Sequence, residues 1–590
     1  MSFNQRTPIA AILADERARA VFELRARELL TTPHVNDIRS LPVGVLVEPP
    51  RLFREAGMPG VRDVDLRERI WADLASIDPD LTVGEKDTLP DPEYEDDAVE
   101  PASARIRYPS SVPQWGVFEV RLSGPQHGNP FVDVDLYAHI ASGDDVIVVG
   151  GFYDGDGTFI VRFMPHRPGP CTFHTTSTAR SLDGLTGSFE VTPPDPSVHG
   201  PVRVAETYHF RYADGTRFVP MGTTAYAWTH QAGALPDRTL RTLSTSPFTK
   251  VRMCLLPKSF VYNDNEPPVY PFPGSTSDGW DTRRLIPEYF RRIESRIQQL
   301  AAQGIEADLI LLHPYDRWGF STLGRAALSR LLTYAVRRLS AYRNIWWSMA
   351  NEYDLLPLTD QDWQYLASVV DSNDHVGHLV SIHNWVDLYD NSQPWVTHCS
   401  VQAGDGLANE ATAELRRRWS KPVVIDECGY EGDLDQGWGN LTAEELVSRA
   451  WATTIRGGYV THGETYLNDR EEIFWSKGGE LVGESPARLD FLAGLIAASP
   501  TGVIDPIPFG PFNWDVPYAG VPDRYYLAYL GSGQSKFRNI RLPEGQQYHV
   551  DIVDTWNMTI NRLDGTRGGT FRIDLPGRPY IALRFVRVDT

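Results

Sequence analysis

Two glutamates stand directly behind apolar, strand-like runs. Glu352 follows the residues WWSMAN, and Glu427 follows VVID. An ionised carboxylate beside such a run is costly unless it has a partner or a task. Two carboxylates suit the hydrolysis of glycosides, in which one, with a raised pKa, protonates the leaving oxygen and the other attacks the anomeric carbon. The pair therefore indicates a catalytic dyad, with a structural acid in a salt bridge as the alternative for either glutamate.

Other polar and aromatic residues follow similar runs, at the strand ends where a parallel barrel places its chemistry. Arg252 is expected either to keep Glu427 ionised by a charge-assisted hydrogen bond or to form a structural salt bridge. Tyr430 or Tyr466 could supply a phenol to Glu427, and Trp475, before two glycines, favours an aromatic wall of the site. The other predicted sugar contacts, each with a core role as the alternative, are His313, Asp316, His383, Asn384, Trp385, His398 and Gln402.

A metal site is not indicated. The sequence contains no HxH or HExxH cluster, and hydrolysis by two carboxylates needs no metal ion. We therefore predict an enzyme without a metal or other cofactor.

The segment that must position these residues alternates between two patterns. Eight apolar runs of strand length are separated by amphipathic stretches, the clearest of which are 286–304, 323–343, 442–458 and 485–500. This alternation is typical of a (β/α)8 barrel, which we assign to residues 201–504. Glu352 and Glu427 follow the fourth and seventh runs, so their side chains should face each other across the barrel axis. The connection after HLVSIHNW has little helical pattern.

The barrel is flanked by segments of a different kind. Residues 105–200 and 505–590 show short period-two runs between turn residues, which predict an N-terminal and a C-terminal β-sandwich. Residues 85–104 are acidic and rich in proline, which is typical of a linker.

Helical spacing recurs near the N-terminus. Residues 8–31 carry apolar residues every three or four positions, which predicts one amphipathic helix, and residues 63–77 predict a second. We therefore interpret 1–84 as a helical segment that packs on the rest of the chain or on a second copy of it.

Composition excludes several kinds of partner. The 590 residues contain 77 acidic and 56 basic side chains, a formal charge of −21 that argues against nucleic acid and anionic membranes. The start, MSFNQRTPIAAILADERARA, lacks a basic and then apolar leader, and no apolar stretch reaches the ~18 residues of a span, so we expect a cytoplasmic protein. Four scattered cysteines make a disulfide framework unlikely. The 16 tryptophans fit either several cores or sites that stack on sugars.

The motifs NEYD and DECGY resemble the acid/base and nucleophile motifs of clan A retaining glycosidases. The resemblance implies that Glu352 is the general acid/base, that Glu427 is the nucleophile and that Asn351 binds the sugar 2-hydroxyl. Many members of the clan have a tyrosine near the sixth strand that contacts the nucleophile, whereas this sequence has His398 and Gln402 there.

Longer stretches resemble apiosidase-like glycosidase barrels preceded by a β domain. They include WGVFEV, GFYDGDGTFIVRFMP, GTTAYAW and the segment from HGETY to ARLDFL. The resemblance spans about residues 110–585 and leaves out the helical N-terminus.

We therefore predict a retaining glycoside hydrolase that acts as an exo-enzyme on an oligosaccharide or a small glycoside. The alternatives are an endo-glycanase or a transglycosylase on the same dyad, and a non-catalytic carbohydrate-binding protein. The expected partner is a carbohydrate rather than nucleic acid or a membrane, and the N-terminal helices suggest a homo-oligomer. The sugar, its ring form, its anomer and its linkage stay open.

Overall fold

The computed structural model describes residues 3–5, 7, 9–31, 41–49, 54, 58–76, 94–402, 406–507 and 516–588. Parts of the predicted helical segment and linker therefore lie outside the described residues, chiefly 32–40 and 77–93.

Short helices form the described part of the N-terminus. The pattern at 8–31 is three helices rather than one. The Asp15 side chain accepts hydrogen bonds from the Arg17 and Ala18 N–H groups and begins the second helix, and Ala26, with a φ of −156°, separates the second from the third. The helices are α1 (Ile9–Ala14), α2 (Glu16–Arg25), α3 (Arg27–Leu30), α4 (Gly44–Val47) and α5 (Val64–Ser76).

Two sheets form the N-terminal β domain. Their inner faces meet in an aromatic core in which Phe118 and Phe189 stack with ring centroids 3.6 Å apart. The sheet orders are β1-β3-β7-β6 and β2-β9-β8-β4-β5. The elements are β1 (Arg105–Arg107), β2 (Ser111–Pro113), β3 (Phe118–Ser123), α6 (Pro130–Asp133), β4 (Leu136–Ser142), β5 (Asp145–Gly150), β6 (Phe152–Tyr153), β7 (Thr158–Phe163), β8 (Gly169–Ser177) and β9 (Thr186–Thr192).

A small antiparallel sheet covers the amino-terminal end of the barrel. It consists of β10 (Val202–Ala205), β11 (His209–Tyr212) and β12 (Arg217–Phe218). Phe210 and Phe218 pack there on the ring of Trp346.

Eight parallel strands form the barrel, which confirms the predicted fold class. Their order in the sheet is β19-β18-β17-β14-β13-β23-β21-β20, and a parallel bridge between His383 and Ser400 joins the two outer strands. The strands are β13 (Gly222–Thr224), β14 (Lys250–Cys254), β17 (Glu306–Leu312), β18 (Ile345–Ala350), β19 (Leu379–Ser381), β20 (Cys399–Gln402), β21 (Val423–Glu427) and β23 (Tyr459–His462).

Helices separate most of the barrel strands. No helix lies between β19 and β20, which agrees with the weak pattern there. The helices are α7 (Leu235–Ser244), α8 (Pro287–Ala302), α9 (Arg325–Leu339), α10 (Asp360–Asn373), α11 (Leu407–Trp419), α12 (Ala443–Ile455), α13 (Phe474–Lys477) and α14 (Ser485–Ala497). Short strands in the loops are β15 (Gly274–Ser275), β16 (Gly279–Trp280), β22 (Glu431–Gly432) and β24 (Glu464–Thr465).

The C-terminal β domain packs on the outside of the barrel. Tyr529 stacks on Trp451 of α12, and the Tyr525 hydroxyl donates to the Leu495 carbonyl of α14. The sheets are β25-β26-β27-β32-β29-β30 and β28-β31. The strands are β25 (Asp505–Pro506), β26 (Tyr518–Val521), β27 (Tyr525–Tyr529), β28 (Phe537–Arg541), β29 (Tyr548–Asp554), β30 (Thr559–Arg562), β31 (Thr570–Asp574) and β32 (Ile581–Arg587).

The N-terminal helices pack against the carboxyl end of the barrel. Their hydrophobic cluster includes Leu355, which follows β18. The cluster also contacts Tyr315, which follows β17, and Trp385, which follows β19. Within the described ranges, no helix is long and apolar enough to cross a membrane.

Candidate active site

Glu352 lies two residues beyond β18 in a left-handed backbone conformation. Its φ is 51°, a region that costs residues other than glycine on the order of 1–3 kcal/mol. The residues on either side are fixed: the Asn351 N–H donates to the Leu312 carbonyl at 2.9 Å, and the Tyr353 N–H donates to the His383 carbonyl at 2.8 Å. Contacts with the neighbouring strand ends thus hold a strained residue at the carboxyl end of the barrel.

Glu427 is the last residue of β21 and is buried. The hydroxyl of Tyr226 donates to its Oε1, and Nε2 of His383 lies 3.3 Å from the same oxygen. Nδ1 of His383 is 2.9 Å from the Ser400 hydroxyl, which orients the ring. Glu427 therefore has a phenol and an imidazole as fixed partners.

Glu352 has different partners. The hydroxyl of Tyr315 donates to its Oε2. The amide nitrogen of Gln402, as assigned from its surroundings, donates to Oε1 at 3.0 Å and to the Asn384 carbonyl at 3.1 Å. The two glutamates thus each accept a hydrogen bond from a separate phenol.

A buried cluster of four charges lies beside the glutamates in the barrel interior. Nζ of Lys250 is 2.7 Å from both Asp308 and Asp426, and Nη1 of Arg252 is 3.3 Å and 3.2 Å from the same two acids. Two cations and two acids balance, as buried charges require. Nη2 of Arg252 donates to Oδ1 of Asn351 at 3.1 Å, so the cluster also fixes that amide.

The two glutamates have opposite pKa shifts. Burial and the nearby charge of Glu427 together raise the pKa of Glu352 to about 8. Burial also acts on Glu427, but the hydrogen bond and electrostatic interaction with His383, together with Arg252, outweigh it and lower its pKa to about 2. Near neutral pH one carboxyl is therefore protonated while the other is ionised, which is the division of roles that paired carboxylates need.

Aromatic rings form a wall beside Glu427. The ring centroid of Trp475 lies 5.6 Å from that of Tyr226, 5.9 Å from Tyr430 and 5.0 Å from Trp438. Burial and the charge of Glu427 raise the pKa of the Tyr430 phenol, so this side chain also lies near the nucleophile candidate. The predicted aromatic wall at Trp475 thus lies next to the dyad.

The structure brings together several residues named from the sequence, in addition to the dyad. They are Asn351, His383, Asn384, Gln402, Tyr430 and Trp475. Asn384 serves mainly to join two loops, because its side chain is paired with the backbone of Gln402.

Other predicted contacts lie elsewhere. His398 precedes β20 and packs on Trp346 and Phe210 at the amino-terminal end of the barrel, so it is far from the strand ends that carry the dyad. Tyr466 donates to Glu431 rather than to Glu427. His398 misses the site because it precedes β20 and therefore lies at the opposite end of the barrel. Tyr466 misses Glu427 because it follows β24, whose partner strand β22 begins with Glu431.

Four more predicted contacts are paired with groups around the site rather than with the two glutamates. Asp316 accepts the Trp318 and Ser321 N–H groups within its own loop, both at 2.8 Å. His313 is buried with Nε2 3.2 Å from the Leu256 carbonyl. Arg252 is directed to the acids and Asn351, so its effect on Glu427 is electrostatic rather than a hydrogen bond. The fourth, Trp385, packs on the N-terminal cluster.

Sequence reasoning missed three residues: Tyr226, Tyr315 and Lys258. Each stands near the end of a predicted strand, which was the available signal, but their partners lie in distant parts of the chain. Tyr226 and Glu427 are 201 positions apart.

The described residues contain no group of three or more His, Cys, Asp or Glu side chains arranged to hold a metal ion.

A closed parallel barrel with two glutamates at strand ends and opposite pKa shifts is typical of a glycoside hydrolase. The model of the apiosidase-like catalytic domain matches residues 205–472, and two domain families of unknown function, DUF5060 and DUF5605, match 111–178 and 514–586. The crystal structure of a Bacteroides vulgatus ATCC 8482 protein assigned to the glycoside hydrolases is 37% identical, with a TM-score of 0.77 over 81% of this chain and all of that one. This chain belongs to the same family of apiosidase-like glycoside hydrolases, which confirms the resemblance seen in the sequence.

A second solved structure shows the fold alone. A family 5 glycoside hydrolase from Bacteroides vulgatus ATCC 8482 is 16% identical, with a TM-score of 0.53 over 66% of this chain and 93% of that one. No curated protein matches the chain.

Proposed function

We propose that this glycoside hydrolase retains the anomeric configuration, with Glu427 as nucleophile and Glu352 as general acid/base. The opposite pKa shifts of the two buried carboxyls carry the division into acid and nucleophile, and the resemblance of NEYD and DECGY to the motifs of clan A retaining glycosidases supports retention. An ionised Glu427 can attack, and a protonated Glu352 can donate.

The reaction proceeds in two displacements. Glu352 protonates the glycosidic oxygen while a carboxylate oxygen of Glu427 forms a bond to the anomeric carbon, and the leaving group departs as an alcohol. Glu352, now ionised, takes a proton from water as that water attacks the same carbon. The bond to Glu427 breaks, Glu352 is protonated again and the free sugar leaves with its original configuration.

The neighbouring side chains position the nucleophile and the sugar. Tyr226 and His383 hold one oxygen of Glu427. Asn351 uses its oxygen to accept from Arg252 at 3.1 Å and lies 3.2 Å from the Tyr226 hydroxyl, so we assign its amide nitrogen to the sugar 2-hydroxyl. His383 and Gln402 provide further polar contacts, and Trp475 with Tyr430 provides a stacking surface.

Two walls support exo-action on a short substrate. The N-terminal helices pack on the loops after β17, β18 and β19. Trp475 and Trp438 form an aromatic cluster beside the opposite glutamate. We infer that these two walls bound the site on two sides, which favours the end of an oligosaccharide or a small glycoside over the interior of a polymer.

Azide rescue of truncated variants tests the assignment. With an activated nitrophenyl glycoside found in a panel of pyranosides and furanosides, Glu352→Ala and Glu427→Ala should each lose at least about 100-fold in rate, the lower limit for a general acid/base. Azide should rescue Glu352→Ala with a product of retained configuration and Glu427→Ala with an inverted one.

Glu306→Gln is the matched control. Glu306 is also a buried barrel glutamate, but it stands at the start of β17, at the end away from the dyad, and accepts a hydrogen bond from the Trp346 indole. Full activity in either dyad variant, or the reverse stereochemistry, would refute the assignment. Addition of an acceptor alcohol to the wild-type reaction separates hydrolysis from transglycosylation.

A further inference from the structure

Lys258 is a buried cation between the two glutamates' phenol partners. It lies four residues beyond β14, and 3% of its surface is exposed. Its Nζ is 3.6 Å from the ring centroid of Tyr226, 4.5 Å from that of Tyr315 and 5.1 Å from that of Trp475. Because Tyr226 and Tyr315 donate to Glu427 and Glu352, the ammonium lies inside the candidate active site.

This cation differs from the other two in the barrel interior. Lys250 and Arg252 each contact both Asp308 and Asp426. Among the described residues, no carboxylate lies within salt-bridge distance of the Lys258 ammonium and no group accepts a hydrogen bond from it. Its neighbours are ring faces, which attract the charge but leave three N–H groups without an acceptor.

Burial and nearby charges act on Lys258 in opposite directions. Burial lowers the pKa of Lys258, and the charges of Cys254, Glu352 and Glu427 act in the opposite direction. Oε1 of Glu427 accepts from the Tyr226 hydroxyl and lies 3.3 Å from Nε2 of His383, so these two groups rather than Lys258 are its close polar partners.

We propose that Lys258 binds a carboxylate of the substrate, so that the glycosides cleaved by this enzyme carry a uronic acid at the catalytic pair. A sugar carboxylate would supply the charge and the acceptors that the ammonium lacks, in a site from which water is largely excluded. A neutral hydroxyl would supply an acceptor without the charge. This inference rests on the proposed function, because it names the substrate class of the same site.

Matched pairs of substrates test the inference. Nitrophenyl glucuronides and galacturonides, in both anomers, are compared with the glucosides and galactosides of the same configuration. The wild-type enzyme should have a higher kcat/KM on a uronide than on its neutral counterpart. Lys258→Met should lose about 10- to 100-fold more in kcat/KM on the uronide than on the neutral sugar, as expected for a hydrogen bond between charged groups.

Two variants serve as controls. Lys258→Arg keeps a cation and should retain a preference for the uronide. Lys421→Met removes a lysine that binds the Asn391 and Gln393 carbonyls away from the dyad, and it should change kcat/KM on neither substrate. Thermal unfolding shows whether each variant is folded.

The outcomes separate this inference from the proposed function. If the wild-type enzyme cleaves neutral glycosides in preference to uronides, the role of Lys258 is overturned and the dyad stays intact. An equal loss of kcat/KM on both substrates in Lys258→Met has the same meaning. If no member of the panel is cleaved, calorimetry decides: the wild-type protein must bind free glucuronate or galacturonate more tightly than glucose or galactose. Equal binding of acid and neutral sugars also overturns the inference.

Discussion

At the scale of single residues, the main finding is the partner of Glu427, the proposed nucleophile. The sequence pointed to Tyr430, Tyr466 or Arg252, but the hydroxyl that reaches Glu427 belongs to Tyr226, beyond the first barrel strand. Its backbone is fixed on both sides: its N–H donates to the Trp475 carbonyl at 2.9 Å, and its carbonyl accepts the Cys254 N–H at 2.8 Å. The phenol is therefore held in place before any substrate arrives.

Tyr226→Phe should slow catalysis and shift its pH dependence. The hydrogen bond from Tyr226 is one of the interactions that lower the pKa of Glu427, so its loss should raise that pKa. Because the proposed nucleophile must be ionised to attack, the acidic limb of kcat/KM should move to higher pH. The expected loss in kcat is about 10- to 100-fold, the worth of a hydrogen bond to a charged group.

The measurement is kcat and kcat/KM as functions of pH. Tyr466→Phe is the control, because Tyr466 donates to Glu431 instead. An unchanged acidic limb in Tyr226→Phe would show that its hydroxyl does not set the charge of Glu427.

At the scale of elements, the loops after β18 and β19 act as one unit. Asp354 accepts three backbone N–H groups from the β19 loop: Trp385 at 2.6 Å, Val386 at 2.8 Å and Asp387 at 2.9 Å. One carboxylate thus joins the loop that carries Glu352 to the loop that follows His383. The joint matters because the helix that usually separates consecutive barrel strands is missing between β19 and β20.

Asp354→Ala should lower both stability and activity. Three N–H groups, one of them part-buried and two exposed, would lose a charged acceptor, at a cost of about 1–3 kcal/mol in the free energy of unfolding. The freed loops should let Glu352 and His383 move, so kcat should fall more than KM rises. Denaturant unfolding and steady-state kinetics measure both effects.

Asp387→Ala is a matched control in the same loop, because the Asp387 side chain is exposed. It should change neither quantity. A stable and fully active Asp354→Ala would show that the two loops keep their positions without this carboxylate.

At the scale of the whole molecule, the added N-terminal helices are anchored to the barrel. The matched families begin at residue 111, so these helices lie outside them. Leu355 is 2% exposed and belongs to the N-terminal cluster, whereas its neighbour Leu356, also 2% exposed, belongs to the barrel cluster. Two adjacent leucines therefore report on two different interfaces.

Leu355→Ala should loosen the N-terminal helices selectively. The truncation leaves a cavity worth about 2–5 kcal/mol for a fully buried leucine. In Leu355→Ala, amide hydrogen exchange should become faster in α2 and α5. Leu356→Ala should instead destabilise the barrel. In that variant, exchange in α2 and α5 should keep its rate relative to global unfolding. Equal effects of the two variants would contradict separate interfaces.

Local patterns predicted much of the fold because they record local physics. Apolar runs and amphipathic stretches report how each segment buries its surface, so all eight barrel strands and the helices near 287–302, 325–339, 443–455 and 485–497 could be read from spacing. The N-terminal pattern was misread as one helix because a capping side chain, Asp15, interrupts it.

The sequence by itself determined the barrel, its order of strands and the position of two glutamates at the ends of the fourth and seventh. These follow from strand and helix periodicity and from the rule that parallel strands end on one face. Only the tertiary structure decided which phenol serves which glutamate, that Arg252 is bound to Asp308 and Asp426, and that Lys258 is not paired in the described chain. Those choices depend on barrel closure, which brings residues as far apart as Tyr226 and Glu427 into contact. Closure also gives the carboxyls of Glu352 and Glu427 opposite surroundings.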